Sequence, residues 1–318
     1  MFRAATLVFL LVSLSLFTGT ANAVMHLHPL ESPNKDFKLV VAVGPINDVQ
    51  FALFYKEELL AKASRFSFAL TDGDQLPATM SFRLGGGIFQ SAREPKPSRY
   101  APNSTSVSQV MSIHSAENNV DYNEMSVHYW KLEKGSEEYE SLIKIVFRAY
   151  NDGIAYRYEI ATKAGEPITI KNENVEFVFP DDYTCTVSET MTAGIFSRRT
   201  VSVGRVTSLS KLKTGTANPL YIEFRKGALK MEMSLSGIPR ADFAPLQFQP
   251  GRELTGTFNN LYERFGNIDR TGKRTAVALL LEGDTEIHGT GNPYHTPWRA
   301  MVLSYPHGEK MLQSLIAP

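Results

Sequence analysis

The chain has 318 residues, 43% of them apolar, 11% aromatic and 21% charged, a composition that excludes disordered, collagen-like and coiled-coil proteins. Its 33 Lys plus Arg balance 33 Asp plus Glu, so it lacks the basic field that nucleic acid or an anionic membrane surface would call for. Those two partners are excluded at the outset.

Taken in chain order, the first predicted element is a leader. Arg3, the apolar run Ala4–Phe17 and the small-residue site Ala21-Asn22-Ala23 read as a secretory signal peptide over residues 1–23, with the mature chain, 24–318, beginning at Val24. The run is short for a membrane span, and no later stretch approaches the ~20 apolar residues such a helix needs. The expected destination is therefore extracellular or periplasmic. A free amine at Val24 would place His26 third in line, a spacing able to chelate Cu(II); a frayed terminus without a role explains His26-Leu27-His28 equally simply.

Leu39, Val41, Val43 and then Val49, Phe51, Leu53, Tyr55 alternate on either side of Gly44–Asp48, which predicts two strands and a turn. Lys56–Ala63 reads as a short helix. Gly85-Gly86-Gly87 and Pro95–Pro102 mark loops, the former without the Lys and helix of a phosphate cradle. Asn103-Ser104-Thr105 forms a glycosylation acceptor sequence in an expected exposed loop.

Met125–Leu132 is the next strand. Ile143–Tyr150 and Ile154–Ile160 follow, joined by Asn151-Asp152-Gly153, a turn composition that tolerates positive φ and predicts a hairpin. Ile143, Ile145, Phe147, Ala149 and Ile154, Tyr156, Tyr158, Ile160 share one face; Lys144, Arg148, Arg157 and Glu159 line the other. Further strands are predicted at Ile168–Ile170, Val175–Phe179, Thr184–Ser188, Thr200–Val203, a hairpin of Leu220–Phe224 with Leu229–Leu235, Thr275–Leu281 and Trp298–Leu303. A short helix is expected at Glu309–Leu315. Many short strands with scarcely any helix predict one all-β domain, a large antiparallel β-sandwich.

The single cysteine, Cys185, rules out an intrachain disulfide and a cysteine zinc site, and its alternating surroundings read as a buried strand residue. Nucleophile elbows, dinucleotide fingerprints and H-E-x-x-H do not occur. His288, His295 and His307 show no ligand spacing. Glu124, Asp152, Glu159, Glu173, Glu176, Asp181, Asp182 and Glu189 offer carboxylates, most expected on solvated faces, with no pair marked by spacing.

Three segments together resemble the N-terminal domain of glycoside hydrolase family 97, whose members include bacterial α-glucosidases and α-galactosidases: Asp121-Tyr122-Asn123-Glu124-Met125-Ser126-Val127, Ile145 through Asn151-Asp152-Gly153 to Glu159, and Thr296-Pro297-Trp298-Arg299. Ser32-Pro33-Asn34 and Leu220-Tyr221-Ile222 match more loosely. The resemblance implies a large sandwich similar to galactose mutarotase that packs on a (β/α)₈ barrel carrying the catalytic carboxylates. No barrel sequence is present between residues 1 and 318, so no catalytic residue carries over. The family's calcium-dependent members supply one Glu after the strand matching Thr184–Val187, where this sequence has Phe196, with Glu189 reaching that place only after a shift. No cofactor is therefore expected. At the tip where the family has His-Glu, this chain has Arg225-Lys226.

The resemblance implies a secreted carbohydrate-binding module, with Trp298 and Arg299 the first expected glycan contacts and Asn123 and Glu124 the next. Packing and turn roles account for the same residues. The alternatives are a truncated or split hydrolase whose barrel is a separate chain, and a mutarotase-like epimerase, for which His114, His128 and Glu124 are the candidate acid and base; His128 and Glu124, four apart, share a strand face. Partners would be a glycan, a separate barrel chain or a second copy joined through an apolar patch.

Overall fold

The structure, a computed structural model, describes residues 25–44, 49–70, 75–76, 89–91, 103–132, 139–193, 199–213, 220–226, 229–237, 241–244, 246–254, 260–268, 274–281, 283–303, 311 and 315. The leader, Gly85-Gly86-Gly87, Pro95–Pro102, Phe196 and His307 lie outside them, as do Gly227 and Ala228.

The strands are β1 (His26–Glu31), β2 (Phe37–Val43), β3 (Val49–Tyr55), β4 (Glu58–Leu70), β5 (Gln75–Leu76), β6 (Phe89–Ser91) and β7 (Asn103–Ser108). Then come β8 (Met111–Ser115), β9 (Val120–Leu132), β10 (Tyr139–Tyr150), β11 (Gly153–Ile160), β12 (Pro167–Phe179), β13 (Thr184–Ala193) and β14 (Arg199–Ser208). The last are β15 (Leu220–Lys226), β16 (Leu229–Gly237), β17 (Leu246–Leu254), β18 (Arg274–Leu281), β19 (Thr285–His288), β20 (Tyr294–His295) and β21 (Arg299–Leu303).

Among the described residues they form two sheets. One has nine strands along the path β1-β2-β3-β4-β12-β18-β17, with β5 and β19 at its margins. The other has twelve along β14-β13-β15-β16-β21-β11-β10-β9-β7-β6, with β8 and β20 attached to β9 and β11. Apart from the parallel β6–β7 pair and an isolated bridge, all pairings are antiparallel. The all-β sandwich expected from alternation is the observed fold.

Its core lies between the sheets. Leu39, Val41, Phe51 and Phe177 from the smaller sheet meet Phe147, Tyr156, Tyr158 and Met301 from the larger. Phe51 contacts Phe66, Phe147, Tyr156 and Phe177, and Phe68 stacks on Tyr158 with centroids 4.3 Å apart. Cys185 is part of this core, where burial pushes its thiol up to about 12. The smaller sheet's other face is also covered, because Val40, Ala42, Ala52 and Phe54 pack with Tyr262, Leu261 and Phe265 of a 3₁₀ segment, Asn260–Phe265. Double coverage explains why β2 is an almost unbroken apolar run.

Two sequence expectations are corrected. Lys56–Ala63 is not a helix: Lys56 and Glu57 take φ of 45° and 69° and turn β3 back into β4, with Tyr55 opposite Glu58. Positive φ at both positions gives the backbone twist of a two-residue hairpin. Asn267 holds the turn, donating its backbone N–H to the Glu57 carbonyl at 2.7 Å while its own carbonyl accepts from Leu59 at 3.3 Å. Burying Leu59 and Leu60 on opposite faces of a sheet outweighs the segment's helix propensity. The Asn103 acceptor sequence is likewise not in a loop; it opens β7 and pairs with Lys131–Tyr129 of β9, with Thr105 buried.

The Asn151-Asp152-Gly153 hairpin forms as expected, Tyr150 opposite Gly153. A Cβ at Gly153 would collide with the Met301 carbonyl, which fixes glycine there for β21 to pair alongside. Asn151 Oδ1 accepts the backbone N–H of Asn34 at 2.9 Å, so this turn also clasps Ser32-Pro33-Asn34 of the opposite sheet. Of the expected C-terminal helix, Met311 and Leu315 are described, and both are helical and buried.

Candidate functional site

The face of the larger sheet turned away from the sandwich core carries a connected set of polar and aromatic side chains. Strand alternation delivers it: on β9 the side chains of Met125, Val127 and Tyr129 enter the core, so Glu124, Ser126, His128 and Trp130 point outward. On β10 and β11 the outward residues are Lys144, Val146, Arg148, Arg157 and Glu159. Register then sets them in rows across the sheet. Ser106 lies opposite His128, His128 opposite Lys144, Lys144 opposite Glu159, and Glu159 opposite His295.

Within this row Glu159 gathers cations. Lys144 Nζ donates to its Oε2 at 2.8 Å, Arg157 Nη2 to its Oε1 at 2.7 Å, and His295 Nε2 stands 3.7 Å away. Burial works to raise the Glu159 carboxyl, but Lys144 and Arg157 outweigh it and hold the group below its ordinary value. His128 is depressed to about 4, first by burial and then by the Lys144 charge, so it is neutral at pH 7. Its ring lies nearly parallel to Trp130, 11° apart with centroids at 5.7 Å, and its Nε2 is 2.9 Å from Ser126 Oγ. Trp130 Nε1 donates to Ser106 Oγ at 2.7 Å, which fixes the indole.

A second constellation adjoins the first. The Arg148 guanidinium carbon lies 4.4 Å from the Trp298 ring centroid and that of Arg157 lies 4.6 Å from it, while Arg148 is also 4.5 Å from Tyr122. Glu124 Oε2 accepts from Arg148 Nε at 2.8 Å. Met311 and Leu315 pack with Tyr122, Tyr150 and Trp298, covering this end of the face.

The four expected glycan contacts separate here, since adjacent strand residues point to opposite sides. Glu124 and Trp298 are on the outer face. Asn123 points inward at the sandwich margin, donating Nδ2–H to the Glu31 carbonyl and accepting from Ser112, both at 2.7 Å. Arg299 has no exposed surface. It forms a two-point ion pair with the equally buried Glu173, its Nε 2.6 Å from Oε1, and also donates to Thr296 Oγ1 at 2.9 Å and to the Pro297 carbonyl. A fully buried guanidinium reaches no ligand in this arrangement; it joins the two sheets. Glu173 thereby departs from the expectation of a solvated carboxylate. Trp298, 5% exposed, packs against two arginines.

The structure does not bring the epimerase candidates together. His114 pairs with Asp121 at 2.7 Å on the exposed β8–β9 margin, Glu124 serves Arg148, and His128 sits about 13 Å along β9 from Glu124. The side chains of Glu189 and Phe196, on which the calcium expectation turns, are outside the described set. Among the described residues no three His, Cys, Asp or Glu side chains converge as metal ligands. Sequence reading groups Lys144, Arg148, Arg157 and Glu159 as one wet face and marks Trp130 as a ring that could pack on a sugar, but it does not set Ser106 and His295 beside them; only the register of β7 and β20 supplies those.

Several solved structures share this fold. A glycoside hydrolase family 97 enzyme from Pseudoalteromonas sp. strain K8, in complex with acarbose, superposes with a TM-score of 0.51 at 15% identity over 87% of this chain and 35% of its own. A β-arabinopyranosidase superposes with a TM-score of 0.53 at 15% identity, over 87% of this chain and 40% of its own. This chain thus spans well under half the length of either enzyme. No curated protein matches it. Residues 30–317 match the glycosyl-hydrolase 97 N-terminal family, and the chain belongs to that family.

Proposed function

We propose that this protein is an exported carbohydrate-binding sandwich, a glycan-recognising module rather than the hydrolytic part of a family 97 enzyme, with residues 1–23 as its removed leader. One observation carries the reading: on the outer face of the larger sheet, the flat His128–Trp130 pair lies beside partly exposed Lys144, Arg157 and Glu159. Sugar rings present C–H faces that pack on such aromatic surfaces, while their hydroxyls exchange hydrogen bonds with charged neighbours. The binding surface is the row His128–Lys144–Glu159–His295, with Glu124 and Arg148 at its flank and the fully buried Ser106 holding the Trp130 indole from below. Family membership supports a carbohydrate context.

Isothermal titration against soluble oligosaccharides, α-glucosides and α-galactosides included, tests the reading. Saturable heat that disappears in Trp130→Ala is expected. Absence of heat from every glycan at millimolar concentration overturns it.

A further inference from the structure

We infer that the ligand of this face is an acidic oligosaccharide, one whose sugars carry carboxylate or sulfate groups; the inference rests on the glycan-binding reading above and names the glycan's class. The first support is charge. Lys144, Arg148 and Arg157 stand against Glu124 and Glu159 on the outer face, and His295 adds a further cation when protonated. A single carboxylate, Glu159, is shared by Lys144, Arg157 and His295, so each cation is only partly neutralised.

The second support is unspent donors. Arg157 Nε is buried and without a hydrogen-bond partner, although Nη2 of the same group is committed to Glu159. A buried donor left unmade is costly, so this guanidinium has hydrogen-bonding capacity that Glu159 does not use up. Lys144, its side chain 31% exposed, gives one of its three N–H groups to Glu159, and an ammonium has two more to donate. A neutral hydroxyl could accept from these groups too, but it would leave the excess charge uncompensated.

The third support is the layout. His128 is neutral and stacked with Trp130, so it adds an apolar platform and no competing charge. From His128 on β9 to His295 on β20 the row crosses three strand spacings, about 14 Å, which suits a short oligosaccharide laid across the strands. A sugar ring packed on the His128–Trp130 platform would then bring the acidic group of its neighbour to Lys144 and Arg157.

The test compares a galacturonic-acid trisaccharide and a sulfated trisaccharide with a neutral galactose trisaccharide, by titration on the whole chain at low and at 0.5 M salt. The acidic ligands are expected to bind about tenfold or more tighter at low salt, with the advantage shrinking at high salt. Whichever acid binds better identifies the oxyanion. Lys144→Met is expected to reduce acidic binding to the neutral level, and the partly exposed position lets the fold survive, checked by unchanged near-ultraviolet circular dichroism. Should that variant unfold, Lys144→Arg, which keeps the charge, is expected to retain the preference. Equal binding of acidic and neutral trisaccharides refutes the inference while leaving the glycan-binding reading intact; no binding of any of the three refutes both.

Discussion

Glu173→Gln is the most informative single change. Glu173 on β12 and Arg299 on β21 belong to different sheets, lie 126 positions apart, and both have no accessible surface. Glutamine keeps the volume and removes the charge, leaving the guanidinium buried with Thr296 Oγ1 and the Pro297 carbonyl as neutral acceptors. No substitute anion stands ready: burial pushes the nearby Tyr156 and Tyr158 phenols well above their ordinary range, so neither ionises at neutral pH. Burial also pushes the Glu173 carboxyl upward, and the guanidinium pulls it back. Breaking one side of a buried pair costs about 3–5 kcal/mol, and for a domain of this size each kcal/mol moves Tm by roughly 2–4 °C, so Tm should fall by about 6–20 °C. Urea unfolding followed by tryptophan fluorescence measures the same loss. The double change Glu173→Leu with Arg299→Met removes both charges together and should return most of the stability, giving a coupling of about 3 kcal/mol. A cost of less than about 1 kcal/mol for Glu173→Gln, or a double variant as damaged as the sum of the singles, would refute the view that this pair joins the sheets as mutually neutralising charges.

Two further outcomes are expected. His128 is held at about 4 in the folded chain against 6.5 unfolded, so the folded state binds fewer protons between those values; stability is complete above about pH 6.5 and declines by roughly 2–3 kcal/mol as pH falls to 4. His128→Gln should flatten that part of the pH–stability curve, and unchanged urea midpoints would contradict the assignment. At the β3–β4 turn, Lys56→Asn with Glu57→Gly replaces two residues held at positive φ by residues that favour it, which should raise stability by about 0.5–1 kcal/mol; a lower Tm would mean that the Lys56 and Glu57 side chains matter more than their backbone.

The sandwich was legible because sheet burial writes itself as alternation. Ile143–Tyr150, Asn151-Asp152-Gly153 and Ile154–Ile160 specify strand, turn and strand with the correct register, and even the wet face of Lys144, Arg148, Arg157 and Glu159 follows from parity. Lys56–Ala63 misled because its composition favours a helix, whereas its conformation is decided by Asn267, far away in sequence. The same limit applies to the site. Adjacent residues were grouped because they were adjacent, yet on a strand adjacency means opposite faces, so Trp298 and Arg299 part company. Contacts such as Arg148 and Arg157 on Trp298, or Glu173 with Arg299, arise from sheet pairing and stacking across more than a hundred positions and leave no local pattern.

That parting explains what Thr296-Pro297-Trp298-Arg299 does in this fold. Thr296 Oγ1 accepts the Tyr158 backbone N–H at 3.0 Å and also a proton of Arg299, while the Thr296 N–H donates to the Tyr158 carbonyl at 2.9 Å. The segment is therefore bonded to the β11 edge just before β21 begins. Proline removes one backbone donor at a place where the ladder is interrupted between β20 and β21. From that fixed point Arg299 turns inward to neutralise Glu173 of the opposite sheet, and Trp298 turns outward to pack against both Arg148 and Arg157. Both guanidinium groups pack on the one indole ring, Arg148 paired with Glu124 and Arg157 with Glu159, a carboxylate it shares with Lys144. The motif thus acts on both faces at once: inward it ties the sheets together, and outward it holds in place the cations on which the proposed glycan surface depends.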